Sequence, residues 1–102
     1  MTDRTYRALK SILDCVGWHD APLDALQVTP SPNVLPTDLP IGPLASAALG
    51  ATGLAAVALW QSRSSKRQAV GVDMRAATLA MTSATYLRVN GQAVKSWDPI
   101  TG

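Results

Sequence analysis

The sequence predicts an α/β fragment that is mostly helical, with one or two short strands. Three observations carry that expectation. Apolar residues recur at helical spacing through residues 4–16. Residues 44–60 run without a charge and are rich in Ala and Gly. Residues 69–73 then read as a short strand that leads into a further Ala-rich helix. A buried helix followed by a strand and a helix is how part of an α/β layer reads, and one strand cannot make a sheet alone. The expected organisation is an N-terminal amphipathic helix over 1–18, a proline-rich connection over 19–43, and a buried helix, strand, helix and turn over 44–102.

In the first helix, Tyr6, Leu9, Ile12, Leu13 and Val16 form the apolar stripe. Arg4, Arg7, Lys10, Ser11 and Asp14 fall mainly on the other face. Thr2 or Asp3 is suited to cap its start and Gly17 to end it. The start is polar and has no apolar core of the secretory type, so no signal peptide is expected. Pro22, Pro30, Pro32, Pro36, Pro40 and Pro43 then punctuate the connection. Proline lacks an N–H and restricts the residue before it, so this stretch is expected to be a strap without helix. A short extended piece is possible around Leu26-Gln27-Val28.

The main helix is expected over 44–62. It is apolar nearly all round, which implies burial in a large core or in a membrane. Ala47, Gly50 and Gly53 are small enough to let neighbours approach its backbone. Val70 and Val72 place one strand face inward, Asp73 is suited to cap a helix over 74–87, and Val89-Asn90-Gly91-Gln92 reads as a turn.

Composition narrows the function. The chain has 102 residues, 47% of them hydrophobic and 16% charged, with a net charge of +2. That supports a core and leaves too little charge to solvate the whole surface of a free-standing domain. The one dense basic run is Arg63-Ser64-Ser65-Lys66-Arg67, too short and too poor in aromatics to predict a nucleic-acid partner. The single cysteine, Cys15, allows no intrachain disulfide and fits a reducing cytoplasm. It reads as buried filler in the first helix. A dyad with His19 is disfavoured because Gly17 interrupts the helix between them. No metal motif is present, and no metal is expected.

The order of an Ala-rich buried helix, a basic loop ending in Gln, a V-x-V-D-M strand and an Ala-rich helix resembles the CoA-transferase family III (the CaiB/BaiF type). Gly53, Ala55-Ala56, Gln68, Val70, Val72 and Ala76 stand at matching places. Val72-Asp73-Met74-Arg75-Ala76-Ala77, Tyr86-Leu87-Arg88-Val89-Asn90-Gly91 and Trp97-Asp98-Pro99-Ile100-Thr101-Gly102 extend the likeness, which covers about residues 40–102. The resemblance implies an α/β core, a homodimer or a complementary transferase chain as partner, and CoA transfer between carboxylic acids. In that chemistry CoA thioesters are substrates, no cofactor is needed, and an aspartate is the covalent nucleophile.

That aspartate aligns with Pro43, which cannot act as one, so no catalytic residue is assigned. Asp38 is the nearest upstream carboxylate and reads as a loop aspartate in solvent. Asp98 reads as a turn residue before Pro99. The family's T-G-x-G-Q turn is Ser64-Ser65-Lys66-Arg67-Gln68 here, without either glycine, so a turn that needs positive φ must be reshaped or strained. Arg63, Lys66 and Arg67 are the candidates for contacting CoA phosphates, against a plain reading as a solvent-facing loop. The implied function is a truncated or degenerate transferase segment, inactive alone. Two other classes stay open. One is a single-span membrane protein, because residues 39–60 carry no charge; its Ala, Gly and Pro content argues against insertion. The other is a subunit-interaction module.

Overall fold

The computed structural model describes residues 3–83 and 88–93. Among these it holds helices α1 (Asp3–Cys15), α2 (Ile41–Ser64) and α3 (Met74–Ala80), and strands β1 (Leu26–Thr29), β2 (Val70–Asp73), β3 (Arg88–Val89) and β4 (Gln92–Ala93). The protein is thus a small, mostly helical mixed α/β structure.

α1 buries Thr5, Leu9 and Leu13, which follow one another at i, i+4 on a single line. This line is narrower than the sequence suggested. Tyr6, Ile12 and Val16 are exposed, and so is Cys15, contrary to its expected burial. Cys15 follows Leu13 by two residues, about 200° round the helix, and therefore faces away from the core. Gly17, at φ 73°, ends the helix as expected. Its N–H donates to Asp14 O at 3.1 Å and Trp18 N–H donates to Leu13 O at 2.9 Å, a pair that satisfies the last carbonyls. Trp18 packs back on the core that contains Leu13.

The proline-rich stretch is not a bare strap. The extended piece forms β1, and β1 pairs in parallel with β2 in the register Leu26↔Val70, Gln27↔Gly71, Val28↔Val72 and Thr29↔Asp73. The strand predicted at 69–73 therefore finds its partner inside the connection. Leu26 and Val28 are buried while Gln27, Thr29, Gly71 and Asp73 are exposed. One sheet face packs against α2 and the other meets solvent. Parallel sheets usually bury both faces.

α2 starts three residues earlier than expected, at Ile41, with Pro43 in its first turn. The first four N–H groups of a helix have no intrahelical partner, so a proline there forfeits no bond. Burial also differs from the expectation of an all-round buried helix. Ala47, Gly50, Leu54 and Val57 line one half and are buried, whereas Leu44, Leu59 and Trp60 on the other half are 51%, 55% and 45% exposed. The close approach expected at the small residues is present. Leu26 lies against Gly50, Val70 against Gly53, and Ala47 is fully buried.

The basic turn after α2, expected to be reshaped or strained without a glycine, contains a left-handed residue. Ser65 caps α2 at φ 59° and ψ 17°, and its N–H donates to Gln61 O at 2.9 Å. A side chain in this region is uncommon and strained. Ser65→Gly is therefore expected to stabilise the chain by about 0.5–1 kcal/mol. Urea unfolding at fixed protein concentration reads the change, and a lower midpoint would mean that the Ser65 backbone carries no strain.

Asp73 caps α3 as expected, accepting from Arg75 N–H at 3.2 Å. α3 ends at Ala80, short of the expected 87. Met81 N–H donates to Thr78 O and Thr82 N–H to Leu79 O, so the last turn tightens to i→i+3 bonds. The expected turn at 89–92 is the tip of a hairpin, with Asn90 at φ 53° and Gly91 at φ 79° between β3 and β4. Asp98 and the Trp97–Gly102 cluster lie outside the described residues, as do residues 84–87 of the predicted third helix.

Candidate functional site

β1, α2 and β2 make a β–α–β unit whose parallel strands end together at Thr29 and Asp73. In open α/β sheets ligands bind beyond the carboxyl ends of the strands. A cleft of about 590 Å³ lies there, and its walls come from four parts of the chain. Asp3 and Arg4 enter from α1, Ser31 to Asn33 and Thr37 to Pro40 from the loop after β1, Ile41 to Pro43 from the start of α2, and Met74 and Thr78 from α3.

The loop wall is tied by its own side chains. Asn33 Nδ2 donates to Thr37 O, and Asn33 Oδ1 accepts from Leu35 N–H at 3.3 Å. Thr37 Oγ1 accepts from Leu39 N–H at 3.2 Å, and Thr78 Oγ1 donates to Met74 O at 2.8 Å. These bonds spend most of the neutral polar groups on local structure. Asp38 and Arg4 are left as exposed charges, beside an apolar wall of Pro40, Pro43 and Met74.

The cleft brings together two positions the sequence singled out. Pro43, which the sequence resemblance aligned with a nucleophile, and Asp38, the nearest upstream carboxylate, both line it. Asp38 is exposed, as expected for a loop aspartate. A carboxylate in water is not activated for attack.

The basic residues lie elsewhere. Arg63 is in the last turn of α2, about 33 Å of helix rise from Ile41. Lys66 and Arg67 follow it, and Arg67 pairs with Asp24. The structure therefore does not unite Arg63, Lys66 and Arg67 with the cleft. Cys15 and His19 are both exposed, and His19 Nδ1 has Asp14 Oδ1 as its charged neighbour at 3.6 Å. Among the described residues no group of three His, Cys, Asp or Glu side chains is placed to hold a metal ion.

One polar group escaped the sequence reading. Ser46 is fully buried on α2, and among the described residues its hydroxyl has no hydrogen-bond partner. Nothing in an Ala-rich run distinguishes such a serine from a solvent-facing one. No family model, curated protein or solved structure matches the chain.

Proposed function

We propose that this chain is a family III CoA-transferase-like α/β segment that does not transfer CoA by itself and acts in the cytoplasm by completing its core against a second chain, either another copy or a complementary transferase chain. The observation that carries the reading is the outer half of α2. From Leu44 to Trp60 it offers solvent an uncharged helix face, with Leu44, Leu49, Leu59 and Trp60 exposed. A contiguous apolar face of this kind marks an interaction surface. The two-stranded sheet adds support, since a pair of parallel strands has two open edges and falls short of an independently stable sheet. Lack of transferase activity follows from Pro43 at the nucleophile's place and from the wet Asp38 beside it.

Incubating the purified chain with an acyl-CoA donor and a carboxylate acceptor is expected to yield no new thioester above the uncatalysed background. Transfer that Asp38→Asn abolishes would overturn this reading and make Asp38 the nucleophile. The shared core predicts a mass that rises with concentration in detergent-free sedimentation equilibrium. A folded monomer at every concentration would remove a second copy as the partner.

A single-span membrane protein is the second reading. Ile41–Ser64 is long enough to cross a bilayer, its best window has a mean hydropathy of 1.6, and a third of that window is buried. Against it, Gly50 and Gly53 on the same helix are in contact with the sheet. Aggregation relieved only by detergent would favour the membrane.

A further inference from the structure

We propose that Asn90 is a self-modification site, at which the backbone nitrogen of Gly91 attacks the Asn90 side chain and the folded chain deamidates without an enzyme. The chain has two asparagines, Asn33 and Asn90, and their surroundings differ. Asn33 is held at both ends of its amide, with Nδ2 donating to Thr37 O and Oδ1 accepting from Leu35 N–H at 3.3 Å. Val34 follows it, and a β-branched side chain crowds the nitrogen that would attack. Asn90 is exposed, and among the described residues no hydrogen bond holds its amide. Gly91 follows it and has no Cβ, so its nitrogen approaches unhindered.

Ring closure swings Gly91 N onto Asn90 Cγ, a rotation about the Asn90 Cα–C bond that the closed turn opposes. The hairpin that keeps the turn closed is small. Two residue pairs hold it, Arg88↔Ala93 and Val89↔Gln92, and among the described residues β3 and β4 pack chiefly against each other. Arg88, Val89, Asn90, Gly91 and Gln92 are all exposed. A lone two-stranded hairpin is marginal in water, so this one opens at little cost while the core stays folded. Gly91 N–H lies in the loop outside the ladder and, among the described residues, has no backbone acceptor.

The step balances with water as the co-reactant. Hydroxide takes the Gly91 N–H proton, the nitrogen bonds to Asn90 Cγ, and the Cγ–Nδ2 bond breaks as ammonia leaves with a proton from water. Water then opens the five-membered imide. Cleavage at Cγ leaves an ordinary aspartate, and cleavage at the main-chain carbonyl leaves a β-linked one. Nothing is oxidised or reduced. Either product is ionised at neutral pH and takes the net charge of +2 down by one. The β-linked product also adds a methylene to the main chain, which a two-residue turn does not accommodate, so the hairpin is lost. This chemistry needs neither a second chain nor transferase activity.

The test incubates the full folded chain in neutral buffer at physiological temperature and follows it for weeks by peptide mapping at mildly acidic pH. Trypsin releases residues 89–95 as one peptide, and fragment spectra localise the change within it. A gain of about one dalton is expected at Asn90, in two separable isomers, with Asn33 unchanged over the same period. The rate should rise several-fold from about pH 6 to about pH 8, because the attacking nitrogen must lose its proton. Gly91→Ala is expected to slow the reaction about tenfold or more. A Cβ there meets nothing within 4 Å but is strained at φ 79°, so the substitution loosens the turn and hinders the nitrogen alone. Unfolding in urea should change the Asn90 rate by no more than about twofold, since the hairpin already opens in the folded chain. A rate about tenfold higher in urea would mean that the closed turn guards Asn90, and would overturn the proposal. An Asn90 that stays intact in the folded chain would overturn it as well, as would a Gly91→Ala rate equal to that of the parent.

Discussion

Leu54→Ala is expected to destabilise the chain by about 2–5 kcal/mol, lowering the urea midpoint by about 1–3 M. Leu54 is fully buried at the centre of the core, where α2 meets α1 and the sheet. It belongs to one cluster with Leu9 and Leu13 of α1, Leu26 and Val28 of β1, and Met74 of α3. Truncation removes its transfer energy and leaves a cavity bordered by three separate elements. Such a site cannot collapse by moving a single side chain, which places the effect toward the upper part of the range. A domain of this size holds a total of about 5–15 kcal/mol, so the variant stands near the limit of folding. Leu59→Ala is the control. Leu59 is exposed on the other half of α2, and its truncation should shift the midpoint little in dilute, monomeric protein. Urea denaturation followed by circular dichroism, at one low protein concentration, compares the two. Equal losses for Leu54 and Leu59 would mean that the inner half of α2 is not the core-facing half.

The elements that the sequence made legible are those set by local chemistry. Gly17 ends α1, Asp73 caps α3, and Asn90-Gly91 forms a tight turn, and each acts through bonds within a few residues of itself. What stayed hidden depends on distant partners. The extended piece around Leu26-Gln27-Val28 was legible, but its parallel pairing with β2, more than forty residues away, was not. The uneven burial of α2 was hidden for a related reason. Ala and Leu, its commonest residues, occur on both its faces, so they do not distinguish the half under the sheet from the half in solvent. The cleft was half legible. Asp38 and Pro43 were singled out through the family likeness, whereas Arg4, Asn33 and Met74 join them through folding alone. Arg63, Lys66 and Arg67 drew attention as a charge run, yet the length of α2 carries them to the opposite end.

Gly53→Ala is expected to destabilise by about 1–2 kcal/mol, although alanine in a helix interior is intrinsically better than glycine by about 1 kcal/mol. The reason lies in how α2 crosses the sheet. Leu26 and Val70 are side-by-side partners in the parallel ladder. Neighbouring strands lie ~4.8 Å apart, close to the ~5–6 Å that separates positions three apart on a helix. Gly50 and Gly53 have that spacing, and each receives one member of the pair, Leu26 at Gly50 and Val70 at Gly53. A Cβ at Gly53 would fall 2.6 Å from Val70 Cγ1 and 3.4 Å from its Cγ2. Val70 is β-branched, so turning χ1 to free one methyl directs the other toward its neighbours. A Cβ at Gly50 would fall 2.9 Å from Leu26 Cδ2, the far end of a longer side chain that can rotate away. Gly50→Ala should therefore be close to neutral, the propensity gain offsetting the adjustment. A double-mutant cycle isolates the contact. Gly53→Ala should cost less in a Val70→Ala background than in the parent chain, because the clashing methyls are gone. Equal costs in the two backgrounds would show that Val70 does not set the distance between α2 and the sheet. The close crossing would then need another cause, and the Gly50 to Gly53 spacing would have no role in fixing the register of β1 against β2.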